Sequence, residues 1–184
     1  NVEVSLADVG YGVSQVLLVS SSEIGRRVPQ HAAVINAAAG AGVEHVAYTS
    51  ILRAGTSPLI AAIDHRATEE LLAASGIATT RLRHGWYIEN YTGNLGPALE
   101  HGAVIGSAGE GRIAAATRAD YAAADAAVLL DPSLRGGTHE LAGHAFTMAE
   151  YAAALSAATG RTIPYVDLSG EEYRAALLGA GLPE

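Results

Sequence analysis

The chain has 184 residues, 49% of them hydrophobic and only 5% aromatic, so its core must be assembled from Ala, Val, Ile and Leu, as in parallel sheets covered by helices. A formal charge of −8, with the basic residues scattered, leaves no surface suited to tracking a nucleic-acid backbone. Lysine and cysteine are absent, which excludes mechanisms built on an ammonium or a thiolate, disulfides and thiolate metal sites.

Val2 to Ala7 alternates apolar and polar and reads as a strand, and Gln15 to Ser20 is a short apolar run suited to a strand buried on both faces. Too few residues separate the two for a helical crossover between neighbouring parallel strands. Helical spacing runs from Pro29 to Ala41 and stops at Gly40 and Gly42; a strand follows over Glu44 to Ser50. Ser57-Pro58 opens a second helix that ends at Ser75-Gly76, before a strand over Ile77 to Leu82. The rhythm is that of a parallel α/β sheet.

Beyond His84 the pattern gives a turn-rich stretch from Gly102 to Gly111, a helix over Ala119 to Leu130 and a strand over Thr138 to Ala142. A helix over Ala149 to Ala158, a strand over Thr162 to Val166 and a helix over Gly170 to Leu178 complete it. One domain over 1–184 is expected, with 102–184 as a substrate-side cap. No apolar run approaches the ~20 residues of a membrane span and no leader opens the chain, so a cytoplasmic protein is the expectation. The seven histidines show no paired spacing on one helix, so no metal is expected.

Ligands of open parallel sheets bind beyond the carboxyl ends of the strands. Three such ends carry chemistry. Ser20, Ser21 and Ser22 follow a buried strand and can meet a dinucleotide, or form an ordinary serine-rich turn. Thr49 and Ser50 end the next strand in hydroxyls, which also suits a turn or a helix cap. The run from Arg81 to Tyr91 (RLRHGWYIENY) gathers the single tryptophan, two tyrosines and two arginines. Gly85 permits close backbone approach there, and the aromatics can wall a flat ring.

The runs LLVSSSEIGRRVPQH, AGVEHVAYTSILRAGTSPL, DHRATEELLAASGI, RHGWYIENY, ALEHGAVIGSAGEGRIAAATRADYAAA and HELAG, in this order, resemble the NmrA-like NAD(P)H:quinone oxidoreductases (type 2) of the atypical short-chain dehydrogenase/reductase superfamily. The resemblance implies an extended Rossmann fold that binds NADP(H) and reduces a quinone or similar flat acceptor. It assigns Ser20, Ser21 and Ser22 to the dinucleotide, and His84, Gly85, Trp86, Tyr87, Ile88 and Glu89 to its nicotinamide half. His84 stands where the family usually has asparagine. Asp8 fits the acidic residue that related folds hold beside the adenine, and equally an ordinary strand-ending Asp.

The family's glycine-rich phosphate loop, with the first strand and helix around it, has no counterpart in this sequence, which is expected to bind NADP poorly as it stands. Hydride transfer to a quinone requires no tyrosine–lysine pair. In the segment where relatives carry that pair, this chain has His65, a candidate proton relay or an ordinary helix-surface histidine. Tyr87, Asn90 and Tyr91 could form the quinone pocket. Arg118 is a weaker substrate-side candidate beside its reading as the start of a helix. The competing functional class is a redox sensor that binds NADP without turnover.

Overall fold

The computed structural model describes residues 12–93 and 95–182. In chain order the elements are β1 (Gln15–Leu18), α1 (Arg27–Gly40), β2 (His45–Ile51), α2 (Ala61–Ala74), β3 (Ala78–His84), β4 (Trp86–Tyr87), α3 (Glu89–Thr92) and α4 (Gly96–His101). There follow β5 (Val104–Gly106), β6 (Arg112–Ala116), α5 (Arg118–Leu130), a short 3-10 turn (Pro132–Leu134), β7 (Thr138–Leu141), β8 (Ala145–Thr147), α6 (Met148–Thr159), β9 (Tyr165–Asp167) and α7 (Gly170–Gly179). They form two compact units. One holds the described residues up to Gly85 together with Arg118–Ala142, and the other Trp86–Thr117 and the chain from Gly143 on.

In the first unit β1, β2, β3 and β7 lie in that order, all parallel. β2 is buried at every position, and its alternation assigns its side chains to two layers. Val46 and Tyr48 join Leu18, Ile35, Ala38, Val43 and Leu72 on the face covered by α1 and α2. Ala47 joins Leu82 of β3 and Val128 of α5 on the other. A sheet covered on both faces explains why these strands read as continuous apolar runs.

The helices end as their sequences dictate. After α1 the Gly42 N–H donates to Ala39 O and the Val43 N–H to Ala38 O, with Gly42 at φ +74°. This is the left-handed stop in which the next apolar residue, Val43, packs back on the helix. α2 begins at Ala61, later than the Ser57-Pro58 start expected. The residue before a proline resists helical geometry, and Arg66 holds the Ala54 and Ser57 carbonyls in a loop.

The strand expected over Val2 to Ala7 lies outside the described residues. β3 runs on to His84 because Arg83 and His84 still pair with Ser50 and Ile51 of β2 and with Glu140 and Leu141 of β7. The expected boundary of a cap at 102–184 needs correction. α5 and β7 belong with the parallel sheet, since β7 extends β3 and Val128 of α5 packs on Ala47 and Leu82.

The second unit contains a sheet of order β4-β6-β8 and a β5-β9 pair. Its core joins Val104, Met148, Ala152, Leu155 and Ile163, with Tyr91, Leu99 and Tyr151 packed against them. Thr147 and Ser169 start α6 and α7 with reciprocal caps to Glu150 and Glu172. β9 starts three residues later than expected and ends one later, and the stretch read as turns from Gly102 contains β5. Strands this short are fixed by their partners rather than by local pattern. Among the described residues no helix is long and apolar enough to cross a membrane.

Candidate functional site

Parallel pairing brings the carboxyl ends of β1, β2, β3 and β7 to one edge of the sheet, and the predicted hydroxyls gather there. The Ser20 amide donates to Thr49 Oγ1 at 2.8 Å. Thr49 is buried, so it serves to fix the backbone of Ser20. The Ser21 amide donates to His31 Nε2 at 3.2 Å and its hydroxyl to Gln30 Oε1 at 2.8 Å. Ser22 is exposed. A little further on, the Gly25 amide donates to Asp64 Oδ2 at 2.7 Å. The loop after β1 is thus held to β2, α1 and α2.

Ser50 points into the protein rather than along the edge. Its hydroxyl donates to Glu69 Oε1 at 2.6 Å. Glu69 also accepts from Arg83 Nε and Nη2 at 2.9 and 2.6 Å, a side-on fork. Arg83 Nη1 continues to Glu140 Oε1 at 2.8 Å, and Glu140 Oε2 accepts the Arg53 amide at 2.8 Å. Burial alone would raise the Glu69 pKa, but the hydrogen bonds from Arg83 and Ser50 and the Arg83 charge carry it below the usual carboxylate value. The result is a chain of opposite charges across the ends of β2, β3 and β7. Arg53, in the loop it holds, has φ +53°.

His84 is buried at the end of β3, with Nε2 2.8 Å from Asp125 Oδ1 and its ring stacked on Tyr121 at 4.4 Å. Both partners come from α5. The Gly85 amide donates to Leu141 O at 2.7 Å and ends the pairing of the sheet.

His65 is not on the helix surface. It lies on the buried stripe of α2 with Ala62, Thr68, Glu69 and Leu72. Its Nδ1 is 2.7 Å from Tyr48 Oη, and its Nε2 is 3.1 Å from Arg27 Nη1. Arginine can only donate, so Nε2 accepts and the single ring proton of the neutral form sits on Nδ1, facing Tyr48. Both ring nitrogens are engaged within the fold, which argues against a relay to substrate. Burial first, then the Arg27 charge, lower its pKa to about 4, and burial lowers that of His31.

A histidine kept neutral in the fold but free to protonate when unfolded gives stability that is present above the unfolded value and lost as pH falls below it. Stability should therefore fall from about pH 6.5 towards about pH 4 through His65, by about 1.4 kcal/mol per pH unit. Urea unfolding across that range checks this, and a flat profile would contradict it.

The other predicted residues belong to the second unit. Trp86 and Tyr87 form β4 and pair with Ala115 and Ala116 of β6. Trp86 is 44% exposed and Tyr87 half-buried. The Ile88 amide donates to Ala116 O, and Glu89 and Asn90 open α3. Tyr91 packs edge-on to Phe146 and lies 5.6 Å from the Tyr151 ring, whose hydroxyl donates to Tyr91 O. Tyr91 is thereby partly buried against that unit's core, unlike the exposed Asn90. Arg118 begins α5, and Asp8 lies outside the described residues. The residues missed from sequence are His31, Asp64 and Glu69. Their signal was the apolar stripe: His31 precedes Ile35 and Ala38, and Asp64 and Glu69 share the buried stripe of α2 with Ala62 and Leu72.

No protein-family model matches the chain. It is 51% identical, over 99% of its length, to Quinone oxidoreductase 2 of Escherichia coli, of which it spans 64%. The crystal structure of the E. coli NADPH-dependent quinone oxidoreductase complexed with NADPH superposes with a TM-score of 0.89 at 53% identity, over 94% of this chain and 61% of that one. An NmrA-like family domain-containing oxidoreductase of Aspergillus flavus is 28% identical, over 89% of this chain and 55% of the relative. The chain is thus similar to these reductases over nearly all of its own length while spanning less than two thirds of theirs. The fold is accordingly Rossmann-type, and the Citrobacter sp. triphenylmethane reductase complexed with NADP(H) shares it with a TM-score of 0.88 at 34% identity, over 98% of this chain and 65% of that one. In this chain the serine loop, the Glu69 network and the His84–Asp125 pair all stand at the carboxyl edge of the first unit's sheet.

Proposed function

We propose that the protein is an NADPH-dependent reductase that passes a hydride to a quinone-like acceptor. The observation that carries this is the superposition, at 53% identity, on a quinone oxidoreductase complexed with NADPH. The chemistry of the residues agrees. Ser20, Ser21 and Ser22 offer amides and hydroxyls at the carboxyl edge of a parallel sheet, the ordinary seat of a dinucleotide. Gly85 lets the backbone come close, and the resemblance assigns Ile88 and Glu89 to the nicotinamide half. Thr49, Ser50 and His84 act from behind, fixing the strand ends rather than touching the cofactor.

NADPH, when bound, supplies the hydride. The chain's own contribution is orientation. Trp86 and Tyr87 offer ring faces to a flat acceptor, and Asn90 a hydrogen-bond donor to a quinone oxygen as it gains charge. No acid–base pair of tyrosine and lysine is called for, in keeping with a sequence that has no lysine.

The test uses the whole protein with NADPH and a set of simple and substituted quinones. Cofactor oxidation above the uncatalysed rate, with NADPH quenching the single Trp86, is the expected result. Binding without consumption with every acceptor would replace the enzyme reading with a redox sensor, and neither binding nor oxidation would sink both.

A further inference from the structure

The loop from Ser20 to Gly25 is attached to its two helices by hydrogen bonds whose directions are all forced. The Ser21 amide can only donate, so His31 Nε2 presents a lone pair to it. The other ring nitrogen, Nδ1, is 2.9 Å from Thr68 Oγ1, and the Thr68 hydroxyl donates its proton to Asp64 O at 2.9 Å. Thr68 must therefore accept from His31 Nδ1–H. Asp64 closes the arrangement by accepting the Gly25 amide on its side chain. His31 is 2% exposed and Thr68 fully buried, so water cannot stand in for either partner without opening the contact between α1 and α2.

We propose that His31 is a positioning residue for the dinucleotide loop: as its neutral Nδ1–H tautomer, held by Thr68, it sets the Ser21 backbone in the conformation that receives the cofactor. The inference rests on the cofactor reading above. Protonation of Nε2 would replace the acceptor facing Ser21 with a second donor and release that end of the loop. The charged and titratable groups about the ring are Arg27 from α1, Asp64 and His65 from α2, and Tyr48 from β2, whose ring meets it edge-on at 5.6 Å. Burial first, then the Arg27 charge, oppose a charge on His31, and Asp64 favours it.

His31→Gln and His31→Leu separate this role from packing. A glutamine Oε1 can still accept the Ser21 amide but has no proton to gain, whereas leucine fills the space and accepts nothing. Three readouts are taken on the whole protein across mildly acidic to neutral pH. They are amide hydrogen exchange over Ser20 to Gly25 without cofactor, NADPH affinity from Trp86 quenching, and KM and kcat for NADPH with a quinone acceptor.

Wild type should lose both loop protection and affinity as pH falls, while His31→Gln keeps them with a flatter profile. His31→Leu should exchange faster at every pH and bind NADPH about tenfold more weakly, with KM for NADPH changing more than kcat. Equal exchange and affinity in all three proteins would overturn the inference, as would glutamine and leucine variants that behave alike. Wild type that protects the loop through His31 yet binds no NADPH at any pH would instead overturn the cofactor reading.

Discussion

Glu69→Ala should lower stability by about 3 kcal/mol, because it strands a largely buried guanidinium without its main counter-charge. Arg83 is 18% exposed and Glu69 9%. The pair therefore gains more from its mutual attraction than an exposed ion pair would, and breaking it from one side costs more. The loss also travels. Ser50 is left with an unpaired buried hydroxyl, and Arg83 can no longer hold Glu140 against the Arg53 amide, so the loop after β2 loosens. Glu69→Gln keeps one acceptor but sets an amide against the guanidinium, and a loss of about 2 kcal/mol is expected. The exposed neighbour Glu70→Ala should stay within about 0.5 kcal/mol of wild type. Urea unfolding at neutral pH compares the three, and Glu69→Ala behaving like Glu70→Ala would show that the network contributes nothing.

The contrast between what could and could not be read from the sequence follows from the range of the interactions. β1, β2, β3, α1 and α2 were legible because each carries its own periodicity and its own stop, such as Gly42 and Gly76. Ser20 and Thr49 were legible as strand-end hydroxyls, and the structure joins them directly. The Glu69 network was not, because its members are drawn from α2, β2, β3 and β7, and no local spacing relates residues 50, 69, 83 and 140. His31 and His65 were visible only as single histidines. Their helical phase put each on a buried stripe, which was the clue that they pack inward around Tyr48. His84 was noticed as a departure from asparagine, but its partner Asp125, 41 residues later, emerges only when α5 packs beside the end of β3. In the second unit the two- and three-residue strands have no sequence signature apart from their pairing.

Gly143 shows the same dependence on distant chain, and its replacement is expected to have an effect as large as that at Glu69. It follows the first unit's last strand in the run HELAG, where a glycine reads as an ordinary turn. A Cβ at this position would overlap the Ala115 carbonyl oxygen and stand 2.7 Å from the carbonyl carbon and 3.2 Å from Ala116 Cα. These are backbone atoms, so no side-chain rotation relieves the clash. β6 must move instead, and it cannot move alone. Ala115 and Ala116 pair with Trp86 and Tyr87 on one side, and the adjoining Ala114 pairs with Ala145 on the other. Gly143→Ala should therefore destabilise by about 3 kcal/mol and shift the emission of Trp86 in whatever protein remains folded. Gly179→Ala supplies the control, since its Cβ would meet nothing within 4 Å and a helical glycine replaced by alanine should gain up to about 1 kcal/mol. If Gly143→Ala unfolds at the same urea concentration as Gly179→Ala and leaves the tryptophan emission unmoved, β6 does not approach residue 143 this closely. The expected divergence of the two would instead tie the seating of Trp86 and Tyr87 to one missing methyl group far along the chain.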